Sequence, residues 1–381
     1  MGDRQTKIVA TVGPASRDPE TLEQLVAAGV DVFRLDLADS VEQDQSEVVA
    51  RIRAAAQAVG GEVAILADLP RVSPRLGRRA EWALSWVDFA VARGVDILGV
   101  PFVASAADLA PTSARLAALH ADIPLLAKID RPTAVRRIDD ILAACDGIVV
   151  AREDLGLETE LSGLPMIQKR LIRAAGNHSK PSVTMSQMLG SMVTSKRPTR
   201  AEATDVANAI YDGTDALMLC EETATGAHPV DAVRVMNDIA RATEPDLPRA
   251  DWLLSRTDKR HQDIADAVAQ SAVGAVYRLG LKALVVPTTS GRTARLVSAH
   301  RPSVPVLAVS PSMNTVRRLG LLSGVTATLG DEATDTGGLL DQSALLARTC
   351  GVAGSGDLVG ITGGLPGHGL GTNLFGVQRV P

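Results

Sequence analysis

Through the first 245 residues, short apolar segments that end in polar residues alternate with longer stretches whose apolar positions recur at helical spacing. That pattern belongs to repeated strand–helix units around a parallel sheet buried on both faces. Eight strand candidates follow in order: 7–13, 30–37, 62–70, 95–103, 122–130, 146–154, 180–187 and 215–223. Eight such units close a (β/α)8 TIM barrel, an α/β architecture whose reactive side chains gather at the C-terminal ends of the strands. Those ends are rich in them here: Arg34 and Asp36 on the second, Asp68 on the third, Lys128 and Asp130 on the fifth. Glu153 and Asp154 follow on the sixth, Ser186 on the seventh, and Glu221 and Glu222 on the eighth. One carboxylate in such a place is most simply a solvated loop charge or a helix cap. Their convergence on one rim points to a site.

Pro245, Pro248 and their acidic neighbours interrupt the pattern, which places a linker at 246–254 after a barrel at 1–245. The remainder, 255–381, alternates again, with helices near 263–279, from Arg292 and near 315–322, and strands at 283–287, 304–309 and 357–362. This predicts a C-terminal three-layer α/β domain. Its loop Thr288, Thr289, Ser290, Gly291, Arg292, Thr293 joins a strand to a helix and gathers hydroxyls and free N–H groups into an anion cradle. Helix capping alone also explains serine and threonine there.

Composition narrows the function classes. Apolar residues make up 46% and charged residues 22%, enough for a substantial core. With only nine aromatic residues that core is built from Val, Leu, Ile and Ala, and no row of rings is available to stack bases. A net charge of -5 also opposes a phosphodiester backbone, so nucleic acid is not the expected partner. No apolar run reaches membrane-spanning length and no signal-peptide pattern opens the chain, which predicts a cytoplasmic protein without membrane association. Cys145, Cys220 and Cys350 and the six histidines are dispersed, so neither a disulfide framework nor a zinc site is expected.

Two longer blocks identify the chain as resembling the pyruvate kinase family. Near the start stands Thr6-Lys7-Ile8-Val9-Ala10-Thr11-Val12-Gly13-Pro14-Ala15-Ser16. Later comes Arg197-Pro198-Thr199-Arg200-Ala201-Glu202-Ala203-Thr204-Asp205-Val206-Ala207-Asn208-Ala209-Ile210. The resemblance implies that Lys128 neutralises charge on the phosphoryl group or enolate, and that Asp130 and Asp154 hold Mg2+ or Mn2+, with Asp130 standing where the family usually has Glu. It gives Ser186 the hydroxyl of an active-site threonine, serving substrate contact and proton relay. It makes Arg34 and Arg75 phosphate-handling arginines for an oxyacid substrate. Asp36 and Asp68 fall on monovalent-cation positions, the loop 288–293 on a sugar-phosphate effector site, and 363–373 on its partner loop. Family members usually form homotetramers, so a homo-oligomer is expected.

The departures matter as much. Between Gly77 and Leu84 only 78–83 intervene, where the family inserts a β-rich lid that closes over the substrates and excludes water. The family's Arg-x-Asn-x-Ser-His reads Arg34-Leu35-Asp36-Leu37-Ala38-Asp39, and Leu69 and Pro70 follow Asp68, which leaves the potassium site damaged. Glu153 replaces the glycine whose N–H meets the substrate carboxylate, and Cys220-Glu221-Glu222-Thr223 replaces Ser-Gly-Glu-Thr, so the mouth gains acidity. The first expectation is therefore a divalent-metal-dependent enzyme acting on phosphoenolpyruvate, pyruvate or a related 2-oxo acid through an enolate. One alternative is phosphoryl transfer between phosphoenolpyruvate and ADP. Another is a non-catalytic paralogue binding a metabolite or a partner, against which the retained lysine and clustered carboxylates argue.

Overall fold

A computed structural model of the protein describes residues 4–38, 42–70, 78–256, 263–332, 335–365 and 371–381. It divides into two compact units: Thr6–Pro245, and Asp246–Pro381 together with the N-terminal residues Arg4 and Gln5. In the first, β1 (Lys7–Thr11), β2 (Val32–Asp36), β3 (Ala64–Asp68) and β4 (Ile97–Val100) are followed by β5 (Leu125–Ile129), β6 (Gly147–Ala151), β7 (Ser182–Met185) and β8 (Ala216–Leu219). They close in sequence order into a parallel barrel, β8 returning to pair with β1. Nearly every strand residue is buried, as continuous Val/Ile/Leu/Ala runs covered on both faces require.

The strands are shorter than the apolar segments that predicted them, because the polar ends leave the sheet. Glu153 and Asp154 lie in the first turn of the helix Arg152–Glu158, and Glu221 and Glu222 open the short helix Glu221–Ala224. Acidic side chains are favoured at such helix starts by the peptide dipoles. The next helix after β3 already begins at Arg78, so the short connection that replaces an inserted domain is 69–77.

At the opposite rim an aspartate recurs. Asp31, Asp96, Asp146 and Asp215 each precede an even-numbered strand, and each accepts the backbone N–H that opens or closely follows the start of the preceding odd strand: Ile8 at 2.8 Å, Ile65 at 2.7 Å, Leu125 at 2.9 Å and Ser182 at 3.0 Å. Four strand pairs are thus stitched at the end remote from the mouth.

In the second unit β9 (Ala283–Pro287), β10 (Val306–Ser310), β11 (Val325–Leu329), β12 (Leu358–Gly363) and β13 (Leu374–Arg379) form one sheet in the order β11-β10-β9-β12-β13, with only β13 antiparallel. Alternate residues feed two cores. Leu284, Val286, Val306 and Ala308 pack with Val273, Val276 and Val297 from the helices Ile264–Leu279 and Arg292–Ala299. Ala283, Val285, Leu307 and Val309 pack with Ala344 and Ala347 of the helix Thr336–Thr349. Three layers result.

Sequence periodicity did not reveal β11, β13 or Thr336–Thr349. Both strands are edges with half-exposed residues and interspersed Thr, Gly or Gln, and the helix starts with Gly337 and Gly338 in its first turn. The expected linker at 246–254 is largely the helix Arg249–Arg256, with Pro248 just ahead of the first turn, a place where its missing N–H costs nothing. No helix among the described residues is long and apolar enough to cross a membrane.

Candidate functional site

Strand register brings the first group of charges to one level of the barrel mouth. Thr11 pairs with Arg34, Asp36 with Asp68, and Asp68 with Gly99. The buried Arg34 guanidinium donates to Asp68 Oδ2 from Nε at 3.0 Å and from Nη2 at 2.6 Å. Nη2 also reaches Asp36 Oδ2 at 2.8 Å, and Nη1 the Thr11 hydroxyl at 3.4 Å. Lys128 Nζ donates to the same Asp68 Oδ2 at 2.9 Å. Burial alone would push the Asp68 carboxyl up, but Arg34 and Lys128 outweigh it and hold the group below the ordinary carboxylate range. Burial likewise works against the Arg34 cation, and Asp68 and Asp36 override it. Asp68 Oδ1, by contrast, is buried with no hydrogen-bond partner. The absence of a side chain at Gly99 makes room for it, since a Cβ there would lie 3.0 Å from that oxygen.

Asp130, one residue beyond β5, is 3% exposed. Its Oδ2 accepts the Phe102 N–H at 2.8 Å, and its Oδ1 is buried without a partner. Phe102 holds a left-handed backbone, φ 58°, and the Arg131 guanidinium lies 5.3 Å above its ring. Burial raises the Asp130 carboxyl above its ordinary value and the neighbouring Asp154 pushes the same way, against the Phe102 N–H, Lys128 and Arg131. A bare buried carboxylate oxygen beside a second carboxylate is a local excess of negative charge, which a hard divalent cation relieves. Among the described residues no group of three or more His, Cys, Asp or Glu converges into a complete metal cage. The donor set fits Mg2+ or Mn2+, ions commonly bound by one or two carboxylates with substrate oxygens and water completing the shell. Asp154 and Glu153 are exposed, so the Glu153 carboxylate faces solvent.

The third group is the corner after β7. Ser186 and Gln187 are both left-handed, φ 74° and 53°, and Ser186 is 6% exposed. Arg152 binds the corner: Nη2 donates to Ser186 O at 2.7 Å and Gln187 O at 3.3 Å. Behind it, Glu222 is buried and accepts the N–H groups of Leu189 at 3.0 Å and Cys220 at 2.7 Å. This carboxylate, expected among the reactive groups of the mouth, is taken up in joining the ends of β7 and β8. Burial pushes the Cys220 thiol up to about 11 despite the nearby Arg34 charge, so it stays protonated and unreactive at neutral pH.

Arg34, Asp36, Asp68 and Lys128 are therefore in direct contact, Asp130 and Asp154 interact electrostatically, and Ser186 lies at the adjacent corner. Arg75 and Asp39 lie outside the described residues. Sequence reasoning missed Thr11, Phe102 and Arg152. Thr11 stands inside the first block that carries the resemblance and Arg152 directly before the Glu153 departure from the family pattern, whereas the role of Phe102 is a backbone one that no side-chain pattern signals.

The loop 288–293 belongs to the second unit, where it lines a cavity of about 450 Å³ with Asp331, Glu332 and Thr372 on other walls. Gly291 takes φ 83° and donates to the Thr288 hydroxyl at 3.0 Å, and the hydroxyls of Thr293 and Thr372 meet at 2.7 Å. Arg292 is engaged by Asp263 at 2.6 Å. Residues 366–370 of the expected partner loop lie outside the described residues.

The family model for the pyruvate kinase barrel domain matches residues 3–83 and 69–233, and that for the pyruvate kinase alpha/beta domain matches 266–378. A pyruvate kinase of Geobacillus stearothermophilus is 34% identical over 472 aligned positions, covering 99% of this chain and 80% of the relative. One from Thermococcus litoralis is 31% identical over 478 positions and covers 100% of both. Another from Agrobacterium vitis is 32% identical over 453 positions, 96% of this chain and 94% of the relative. These alignments run longer than the chain's 381 residues, so stretches of each relative have no counterpart here. The two barrel matches meet at 69–83, at the short connection after β3.

Proposed function

The chain belongs to the pyruvate kinase family, and from that membership we propose that it transfers a phosphoryl group between phosphoenolpyruvate and ADP through an enolate. The observation that carries this reading is that Lys128, bonded to Asp68 Oδ2, and the bare, buried Oδ1 of Asp130 stand two residues apart at the end of one barrel strand. Asp130 and Asp154 would hold Mg2+ or Mn2+, which when bound polarises the substrate's carboxylate and bridging oxygens as a Lewis acid. Lys128 turns from Asp68 towards the phosphoryl group and offsets the charge spread over its oxygens. The bond from phosphorus to the enol oxygen breaks as a terminal oxygen of ADP bonds to phosphorus. The enolate left behind takes a proton at its methylene carbon by way of the Ser186 hydroxyl and becomes pyruvate. Arg34 engages the substrate phosphate through its Nη2 edge, exchanging Asp36 for the anion while Asp68 keeps the guanidinium in place. Arg75 is the second arginine of this phosphate reading.

A second reading is enolate chemistry on pyruvate or a related 2-oxo acid without a nucleotide. It is favoured by the connection 69–77, too short to carry a cover over ADP. Pyruvate formation and thermal unfolding with phosphoenolpyruvate, ADP and Mn2+, compared among wild type, Lys128→Ala and Asp154→Ala, separate the two. ADP-dependent turnover lost in both variants supports phosphoryl transfer. Metal-dependent stabilisation by oxalate without ADP turnover supports the second reading, and no response to metal removes both in favour of a non-catalytic protein. The cavity at 288–293 we assign to a phosphorylated effector. Unchanged affinity of a Ser290→Ala, Thr293→Ala variant for sugar phosphates would overturn that assignment.

A further inference from the structure

We propose that Arg152 is a positioning residue of this site, locking the Ser186–Gln187 corner to the segment that carries Asp154. The inference rests on the reading of Ser186 as the relay hydroxyl and adds what keeps that hydroxyl in place. Two successive residues with a Cβ are held in the left-handed region, which contact between Cβ and carbonyl oxygen disfavours. Such a corner persists only if its surroundings over-determine it. Arg152 supplies the restraint. β6 and β7 are paired Ala151 to Met185, so the next residue of each strand, Arg152 and Ser186, emerge side by side.

From there Nε and Nη2 both donate to Ser186 O, at 3.3 and 2.7 Å, and Nη2 also donates to Gln187 O at 3.3 Å. The other edge is fixed as firmly: Nη1 donates to Asp205 Oδ2 at 2.6 Å and Gln168 Oε1 at 3.4 Å, groups on the helices Arg200–Tyr211 and Leu164–Asn177. Only a planar fork with donors on both edges satisfies two carbonyls and two side-chain oxygens at once; a lysine cannot. Arg152 also stands two residues before Asp154, in the same helix. One guanidinium therefore sets the spacing between a candidate metal carboxylate and the relay hydroxyl without touching the reacting atoms.

The test combines Arg152→Gln, Arg152→Lys and Asp205→Asn with Ser186→Ala, reading turnover with phosphoenolpyruvate, ADP and Mn2+ beside thermal unfolding. Arg152→Gln is expected to lower kcat about a hundredfold, as a misplaced reactive group does, with KM for phosphoenolpyruvate little changed. Arg152→Lys should not rescue it, and Asp205→Asn should lower kcat in the same direction by less. Added to Ser186→Ala, Arg152→Gln should cost nothing further, because both remove one function. Wild-type kcat in folded Arg152→Gln, or losses that multiply in the double variant, would overturn the proposal. Should Arg152→Gln fail to fold, Asp205→Asn carries the same cycle. A crystal structure of either variant gives an arm independent of activity: the left-handed φ at 186 and 187 should be lost, and an unchanged corner refutes the restraint. If the wild type shows no turnover, the functional reading falls and this crystallographic arm alone decides the role of Arg152.

Discussion

At the scale of single residues, the two buried aspartates of the mouth differ in how their charge is met. Asp68 has both cations on one oxygen and is held ionised, whereas Asp130 has one backbone donor and a bare oxygen. Removing the charge at Asp130 therefore relieves a cost in the metal-free protein. Asp130→Asn is expected to raise the melting temperature without metal and to abolish stabilisation by Mn2+. In the wild type that stabilisation should reach about 2.7 kcal/mol at a hundredfold excess over the dissociation constant. A calorimetric scan with and without Mn2+ checks both signs. The candidates Lys128, Asp130, Asp154 and Ser186 were legible in the sequence because the spacing of strand ends, and then the family motifs, single them out. The pairing of Arg34 with both Asp36 and Asp68 was not, since contacts across neighbouring strands depend on register.

At the scale of elements, the aspartate bonds between strands and the candidate site occupy opposite rims of the barrel. Asp96 is 2% exposed and accepts from Ile65 N and from Arg53 Nη2 at 2.6 Å. Asp96→Ala removes the side-chain acceptor of the Ile65 N–H and the carboxylate partner of Arg53, which keeps only the carbonyls of Gly94 and Val63, and should cost about 3 kcal/mol in urea unfolding, with turnover per folded molecule unchanged. The helix Arg200–Tyr211 offers a pH-dependent counterpart. Glu202 accepts from Thr199 N and Ser191 N, both at 2.7 Å, in a reciprocal cap with Thr199. Desolvation opposes the charge, but the Ser191 hydroxyl, which donates at 2.6 Å, and then these N–H groups outweigh it and hold the carboxyl below its ordinary 4.5. Because the folded-state value is depressed, this stabilisation is complete above about pH 4.5 and fades as pH falls through the lower folded value. Glu202→Gln should flatten the acid limb of stability below that pH and leave neutral turnover intact. Strand positions were readable from apolar runs, while strand ends were not: Glu153 and Glu221 continue the chain as helix starts, where acidic residues suit either assignment.

At the scale of the molecule, the barrel and the three-layer unit were both foreseeable, one from eight repeats and the other from renewed alternation after the prolines. The edge strands escaped because half-exposed residues blur the period. On the proposed reading, a connection of only 69–77 carries no inserted domain to exclude water from the reaction. Phosphoenolpyruvate should accordingly yield inorganic phosphate and pyruvate slowly in the absence of ADP, a leak that Lys128→Ala removes and a phosphate-release assay detects. The aspartate stitches bear on the same connection in another way. β3 and β4 are fastened at their far ends by Asp96, so the span between the mouth end of β3 at Asp68 and the start of the following helix at Arg78 is a port into which a whole domain can be spliced, or from which one can be cut, without disturbing the register of the pair. Evolutionary gain or loss of a cover at this point is then a change in cargo on an intact frame, and a lid from a longer relative grafted between residues 70 and 78 has a ready-made mount.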